Sequence, residues 1–326
     1  MHKVLKTGIK ILVALVISYV FLYFLLYTGL FNESLKVLKG IDMGWVLIVL
    51  ALYLLTTFLK GLRWRSILDN KLGVLTSFFA SSVHALFINL LPFRLGEASM
   101  LYILKNKGVK VRVSLSYLVV LRLLDVISML CLFFIGVLFV GDNILGAGFM
   151  WVVGAALIVF IGIVYSIIFH SQMLVALAKK LFGVFRVDKK SFFKKCIVTS
   201  EQVSKEIDHL KKGALLTKLF IQSMLIWFLG IVSIWALLKA MHISFPFEKT
   251  LVAVVIQVII ANLPIQGMAG FGTYEGFWTL GFVVMGMTKA AAIISGLNAH
   301  IILLAMTILI GLIGLIFISK TKKFMY

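Results

Sequence analysis

Two stretches of the chain carry polar and charged side chains in an echoing order. Residues 87–97 read FINLLPFRLGE and residues 260–275 read IANLPIQGMAGFGTYE. Each has an Asn (Asn89, Asn262), then Leu and Pro, then Gly, then Glu (Glu97, Glu275). Arg94 stands in the first stretch; Gln266, Gly270 and Gly272 stand in the second. Between them, LVVLRLLDVISML supplies Arg122 and Asp125, while His84, Gln257, Asn298 and His300 are further polar side chains in apolar surroundings. A guanidinium grips a phosphate with two parallel hydrogen bonds. Arg94 and Arg122 are therefore candidate anion ligands, with Asn89, Asn262, Gln266 and the backbone at Gly270 and Gly272 beside them. Glu97, Asp125, Glu275, His84 and His300 are candidates for orienting those groups or for binding a coupling proton or cation.

Each candidate has a structural alternative. Arg122 and Asp125 are spaced i, i+3 and can neutralise each other on one helix face. Arg94 sits at a helix break, where freed backbone groups need partners. A helix that restarts near Leu95 or near Thr273 points free N–H groups at an anion, but Glu97 and Glu275 fall in those first turns and can occupy the same donors. Gly267, Gly270, Gly272 and Gly276 have no preceding strand and no following Lys of the kind a nucleotide loop needs; Gly272 and Gly276 suit close helix approach instead. His84 and His300 lack a second ligand at metal spacing, and no serine or cysteine nucleophile has a base at helical spacing. No catalytic residue, metal or other cofactor is expected.

The elements that must hold these groups are set by composition. Of 326 residues, 62% are hydrophobic and 13% charged, with a mean hydropathy of +1.12. Apolar runs near twenty residues recur along the chain, so an all-α polytopic membrane protein is expected, without the two-residue alternation of a membrane barrel. Six spans are read at 9–28, 45–62, 113–140, 144–168, 215–238 and 288–318, and two stretches, 75–104 and 250–287, are each interrupted by Pro and Gly. The opening MHKVLKTGIK resembles a signal peptide, but no small-residue cleavage site follows Tyr27, so an uncleaved first helix is expected. Trp45 and Trp64 flank the second span as interfacial anchors. Cys131 and Cys196 are isolated and imply no disulfide.

Net charge is +20. The basic residues sit beside apolar runs, which points to membrane topology and anionic lipid, not to nucleic acid. With both termini cytoplasmic and both interrupted stretches read as re-entrant hairpins, 25 Lys and Arg fall inside, 5 outside and 2 (Arg94, Arg122) in the membrane. The segments 45–140 and 215–318 then have the same order in opposite orientation. Such inverted-topology repeats place a substrate site at their broken helices near the midplane. Residues 144–214 link the halves, and the loop 169–214 reads as a basic amphipathic surface helix.

The stretch NLLPFRLGEASMLYILKNKG, followed by VVLRLLDVISML, resembles the transmembrane region of the lysylphosphatidylglycerol synthase family, also known as the flippase-like domain. Asn89, Pro92, Arg94, Gly96, Glu97, Arg122, Asp125, Pro264, Gly270, Gly272, Glu275 and Gly276 occupy the family's motif positions, and Asn298 and His300 stand where relatives often have an Arg. The resemblance implies one integral membrane domain that moves a phosphate-bearing lipid, a phospholipid or a polyprenyl phosphate, between leaflets of the cell membrane. The synthase activity of two-part relatives is not expected, because the chain has no room for their soluble transferase domain. A membrane-embedded lipid-modifying transferase and a small-anion transporter are the rival functions. Membrane lipids with anionic headgroups are the expected partners; a lipid- or glycan-modifying enzyme and a second copy of the chain are left open.

Overall fold

The computed structural model describes residues 2–92, 95–140, 214–261 and 266–320, with scattered residues of 151–205, and side chains from Leu12 onward. The ordered elements are helices α1 (His2–Tyr27), α2 (Leu30–Lys39), α3 (Met43–Ile67), α4 (Val74–Leu90), α5 (Glu97–Asn106), α6 (Val111–Val140), α7 (Leu215–Ala240), α8 (Phe247–Ala261), α9 (Thr273–Val284) and α10 (Lys289–Lys320). Only helices and closed barrels satisfy every backbone group in a bilayer, and helices do so within the segment. Helices α3, α6, α7 and α10 are long and apolar enough to cross a membrane, and α1 from Leu12 joined to α2 makes a fifth candidate. The chain is a polytopic helical membrane protein. The span read at 144–168 and the basic surface helix read within 169–214 lie largely outside the described residues.

Local chemistry sets the ends of these elements. Asp42 caps α3: its Oδ1 accepts from the N–H groups of Gly44 at 2.8 Å and Trp45 at 3.4 Å, satisfying donors that have no partner in the first turn. Beyond α3 the chain turns through Asp69 (φ 51°) and Asn70 (φ 60°), residue types that tolerate the left-handed region. Helix α4 stops at Leu90, two residues before Pro92, which lacks an N–H to continue the ladder. Residues 30–39, with no apolar run of span length, form α2, which leaves α1 at a bend of 83°. Its Ser34 is buried against α10, with Oγ donating to Asn298 Oδ1 at 2.5 Å.

Helices α3 and α7 run antiparallel. At one end the Asp42 N–H donates to Ala240 O at 2.9 Å. At the other, Arg63 Nη1 of α3 donates to Ser223 Oγ of α7 at 2.7 Å. Small residues let further helices close up, since van der Waals fit is the main attraction between helices in lipid. A Cβ at Gly61 would stand 2.8 Å from the α4 backbone at Ser77 and Phe78. Gly136 of α6 faces Leu251 and Val252 of α8, and Gly311 and Gly314 of α10 face Leu86 and Ser82 of α4. The expected small-residue face at Gly272 and Gly276 is half present. Gly272 lies against Ile17 and Phe21 of α1, but Gly276 has nothing within 4 Å of a would-be Cβ.

The two larger apolar cores among the described residues follow. One gathers Trp278, Phe282, Leu237 and Val252 among α6–α10. The other gathers Trp64, Met100, Leu104 and Leu124 where α3 and α5 meet α6. Trp64 is 5% exposed and belongs to this second core. It is not the interfacial anchor its position beside a span suggests, because the chain turns back over it toward Leu72.

Gly61→Leu should push α3 from α4 and cost about 1–3 kcal/mol, read as a lowered thermal midpoint of the detergent-solubilised chain, whereas Gly276→Ala should leave the midpoint unchanged or raise it. Equal effects at the two glycines would refute the assigned helix contact.

Candidate functional site

The first break brings chemistry together. After the break that follows α4, Glu97 opens α5, which packs against both α4 and α6. Glu97 Oε1 accepts from Arg122 Nη2. Asp125, one turn along α6, faces a different helix: it is paired with Arg63 of α3, through Nη1 to Oδ1 and through Nη2 to Oδ2 at 3.3 Å. Arg122 and Asp125 therefore do not neutralise each other, as their spacing suggested. Each crosses to another element, Arg122 to α5 and Asp125 to α3. The Arg63–Asp125 pair is buried, with side chains 8% and 7% exposed. A buried pair of this kind leaves an uncompensated charge if either member is lost.

Between α3, α4, α5, α6 and α7 lies a cavity of about 200 Å³, lined by Lys60, Arg63, Arg122, Glu97, Asp125 and His84, with Asn89 at its edge. Among the described lining residues, with His84 neutral, the three cations exceed the two carboxylates by one charge. Asn89 donates its Nδ2 to Ala85 O at 2.9 Å. His84 Nδ1 lies 3.0 Å from Ser99 Oγ, and its Nε2 lies 4.0 Å from Glu97 Oε2. Four buried polar atoms on this lining have no hydrogen-bond partner: Arg63 Nε, Ser81 Oγ, Glu97 Oε2 and Trp227 Nε1. The free donors expected at the start of α5 are already used, since the N–H groups of Ala98 and Ser99 donate to Leu95 O at 3.2 Å and Gly96 O at 3.0 Å. Positive potential here comes from side chains more than from the helix start.

On the far side of α4 and α5, an apolar groove of about 660 Å³ runs against α10, past Val83, Phe87, Leu91, Tyr102 and Leu315. Ser99 belongs to its wall as well, so only the α4–α5 hairpin separates the groove from the charged cavity.

The second break has the same plan and different chemistry. Glu275 lies 25 residues before His300, as Glu97 lies 25 before Arg122. Glu275 is fully buried. Its Oε2 accepts from the Gly272 N–H at 2.8 Å and its Oε1 meets His300 Nδ1 at 2.7 Å. Of the two roles open to this carboxylate from sequence, filling its own helix start is the geometry observed. Tyr274 stacks on His300 with centroids 4.4 Å apart, and Phe271 lies 4.7 Å away. The ring also packs on Gly270, where a Cβ would stand 3.3 Å from it. Gly270 and Gly272 both have φ of 85°, a region that disfavours any side chain. Ser18 of α1 closes the turn: its Oγ accepts from the Met268 N–H at 2.9 Å and donates to Phe271 O at 3.2 Å. Gln266 sits half-buried just before this turn.

Arg94 and Asn262 lie outside the described residues. Of the other candidates, Arg122, Asp125, Glu97, His84 and Asn89 converge on the cavity, while Glu275, His300, Gly270, Gly272 and Gln266 gather at the second break. Lys60 and Arg63 were absent from the candidate set. LKGLRWR reads as the charged end of a span, and its basic residues were counted with the cytoplasmic loop. The signal that separates them is helical phase: Lys60 and Arg63 are spaced i, i+3 and share one face, whereas Arg65 points elsewhere, to Leu72 O at 3.0 Å. Among the described residues no group of three or more His, Cys, Asp or Glu side chains forms a metal site.

Double-mutant cycles should separate the two ion pairs. Alanine pairs Arg63–Asp125 and Arg122–Glu97 are expected to show coupling of about 1–3 kcal/mol in thermal or chemical unfolding, each exceeding the crossed pair Arg122–Asp125. Stronger coupling in the crossed pair would sink the assignment.

Comparison with known proteins agrees with the motifs. No curated protein and no solved structure matches the chain. The family described as lysylphosphatidylglycerol synthase TM region matches residues 11–311, which takes in both breaks, the charged cavity and the span-length helices up to the last two turns of α10, and the chain belongs to that family.

Proposed function

We propose that the chain is a flippase-like transporter that carries a phosphate-bearing lipid, a phospholipid or a polyprenyl phosphate, between the leaflets of the cell membrane. The observation that carries this reading is the surplus cation in the cavity at the first break. Charge inside a membrane-crossing bundle costs several kcal/mol unless paired or hydrated, yet among the described lining residues Lys60, Arg63 and Arg122 meet two carboxylates, Glu97 and Asp125. A monoanionic phosphate completes that balance. The groove against α10 offers the lipid chain a place beside the hairpin while its headgroup occupies the cavity. Family membership adds that the work concerns membrane lipids. The reading makes the chain a transporter and not an enzyme, and its partners are anionic lipid headgroups.

An inverted repeat is part of the same proposal. Ile67 to Ala240 and Val74 to Phe247 are both 173 residues apart, and Asn106 to Val284 and Val111 to Lys289 are both 178 apart. Helix ends thus recur with one offset before the breaks and another after them, the longer second break taking up the difference. The packing recurs too, with α4 against α10 and α8 against α6. Repeat 1 would cover about 45–140 and repeat 2 about 215–318, with 144–214 linking them. Both breaks then form re-entrant hairpins entering from opposite faces, and both termini are cytoplasmic. At the positions matching Lys60, Arg63 and Asp125, the second half has Ser233, Ala236 and Leu303. The anion site is therefore assigned to the first half alone.

Translocation of a fluorescent phospholipid in liposomes tests the transport role. Lys60→Met and Arg122→Ala should each slow it by about tenfold or more, the worth of one charge-assisted contact; unchanged rates in both would remove the cavity from the pathway. Topology is checked separately. Lys110→Cys, at an exposed position of the loop after α5, should be labelled by an impermeant maleimide only from the cytoplasmic side, and labelling from outside would overturn the hairpin.

A further inference from the structure

The cavity lining carries acceptors as well as cations. Ser99 Oγ lies 2.6 Å from Gly96 O, and a carbonyl only accepts, so the hydroxyl hydrogen of Ser99 is used there. The 3.0 Å contact between Ser99 Oγ and His84 Nδ1 then needs its hydrogen on the ring nitrogen. A neutral imidazole has a single N–H, which leaves Nε2 as a bare acceptor. Nε2 points at Glu97 Oε2, 4.0 Å away. That oxygen is itself buried and unpartnered, because Glu97 meets Arg122 through Oε1. Two acceptors thus face each other with no hydrogen between them, at a separation that one donor group can bridge at ordinary hydrogen-bond lengths. The same cavity is lined by the opposite kind of group as well: Lys60, the unpartnered Arg63 Nε and the unpartnered Trp227 Nε1, all donors.

We propose that the cavity selects a headgroup that joins a phosphate to a hydrogen-bond donor, either a hydroxyl or a primary ammonium. The phosphate oxygens meet Lys60, Arg63 Nε and Trp227 Nε1, and the donor bridges His84 Nε2 and Glu97 Oε2. His84 and Glu97 are then the residues that set headgroup specificity, and Ser99 is a positioning residue that fixes the His84 tautomer. A trimethylammonium headgroup has no N–H or O–H. It would leave both acceptors dry and unsatisfied, which is the arrangement that discriminates most strongly between otherwise similar ligands. This inference rests on the lipid-moving reading of the same cavity for the presence of a lipid tail, but the headgroup chemistry is read from the cavity alone.

Binding, measured apart from transport, tests it. The full chain in detergent is titrated with dihexanoyl phosphatidylglycerol, phosphatidylethanolamine and phosphatidylcholine, by calorimetry or by the ligand-induced shift in thermal midpoint. The glycerol or ethanolamine lipid should bind at least about tenfold more tightly than the choline lipid, and the comparison between those two separates a hydroxyl donor from an ammonium donor. His84→Leu should bring the ratio close to one. Ser99→Ala, which frees Nε2 to carry the hydrogen, should lower it while leaving the unliganded midpoint near wild type. Equal binding of all three lipids by the wild-type chain, or a preference that survives His84→Leu, would overturn the proposal. Selective binding without translocation would leave the headgroup assignment standing and remove the transport reading. Translocation without headgroup preference would do the reverse.

Discussion

An arginine held inside a bundle of apolar helices has to be neutralised where it stands, and the arrangement of the first half follows from how Arg63 is neutralised. Its guanidinium meets the Asp125 carboxylate on α6 and donates to Ser223 on α7, so one side chain ties three helices at a single level. Transferring such a pair from water to a low-dielectric interior carries a large desolvation cost, recovered only when geometry is good on both sides. That requirement fixes the rotation of α6. With Asp125 committed to α3, Arg122 is carried one turn away toward the hairpin, where Glu97 receives it. The cavity is the space left between these two cross-helix pairs.

The second break meets the same constraint without a fixed charge. Glu275 and His300 stand at the same separation as Glu97 and Arg122, but an imidazole can share one proton with its carboxylate and leave the pair neutral overall. The surrounding contacts then complete the turn: the Gly272 N–H, two aromatic faces and the Ser18 hydroxyl of α1 leave little of the backbone there unsatisfied. Around the first break, by contrast, four polar atoms are buried without partners.

Much of this was legible in the sequence. Helices α3, α6, α7 and α10 follow from apolar runs of span length, and the breaks follow from Pro92, Pro264 and the glycines around them. The grouping of His84, Asn89, Glu97, Arg122 and Asp125 was also foreseeable, since all are polar groups in apolar surroundings. Which carboxylate pairs with which cation was not, because i, i+3 spacing states only that two side chains share a face, not that they face each other. Lys60 and Arg63 were hidden for a related reason. At the end of an apolar run, a basic residue that caps a span and one that turns inward have the same spelling. Only the partner decides, and Asp125 is 62 residues further along. Helix α2 escaped because its ten residues have one apolar face, too short for a span and visible only once α10 is there to cover it.

The contrast between the halves bears on how the proposed two-fold architecture can act in one place. If two breaks were equal, an anion would find the same potential on either side of the pseudo-axis, and nothing in the protein would bias where it rests. Here the cations are concentrated on α3 and α6, while Ser233 and Ala236 occupy the corresponding face of α7. A headgroup in the proposed cavity therefore sits off the axis, against the first hairpin. The second hairpin is tied to α1 through Ser18 and packed under Ile17 and Phe21. The far wall of the α4–α5 pair is an apolar groove, whereas the second break is held against α1. The division is physical before it is functional: one break is closed by its own side chains, and the other is left with groups that only a ligand or water can satisfy.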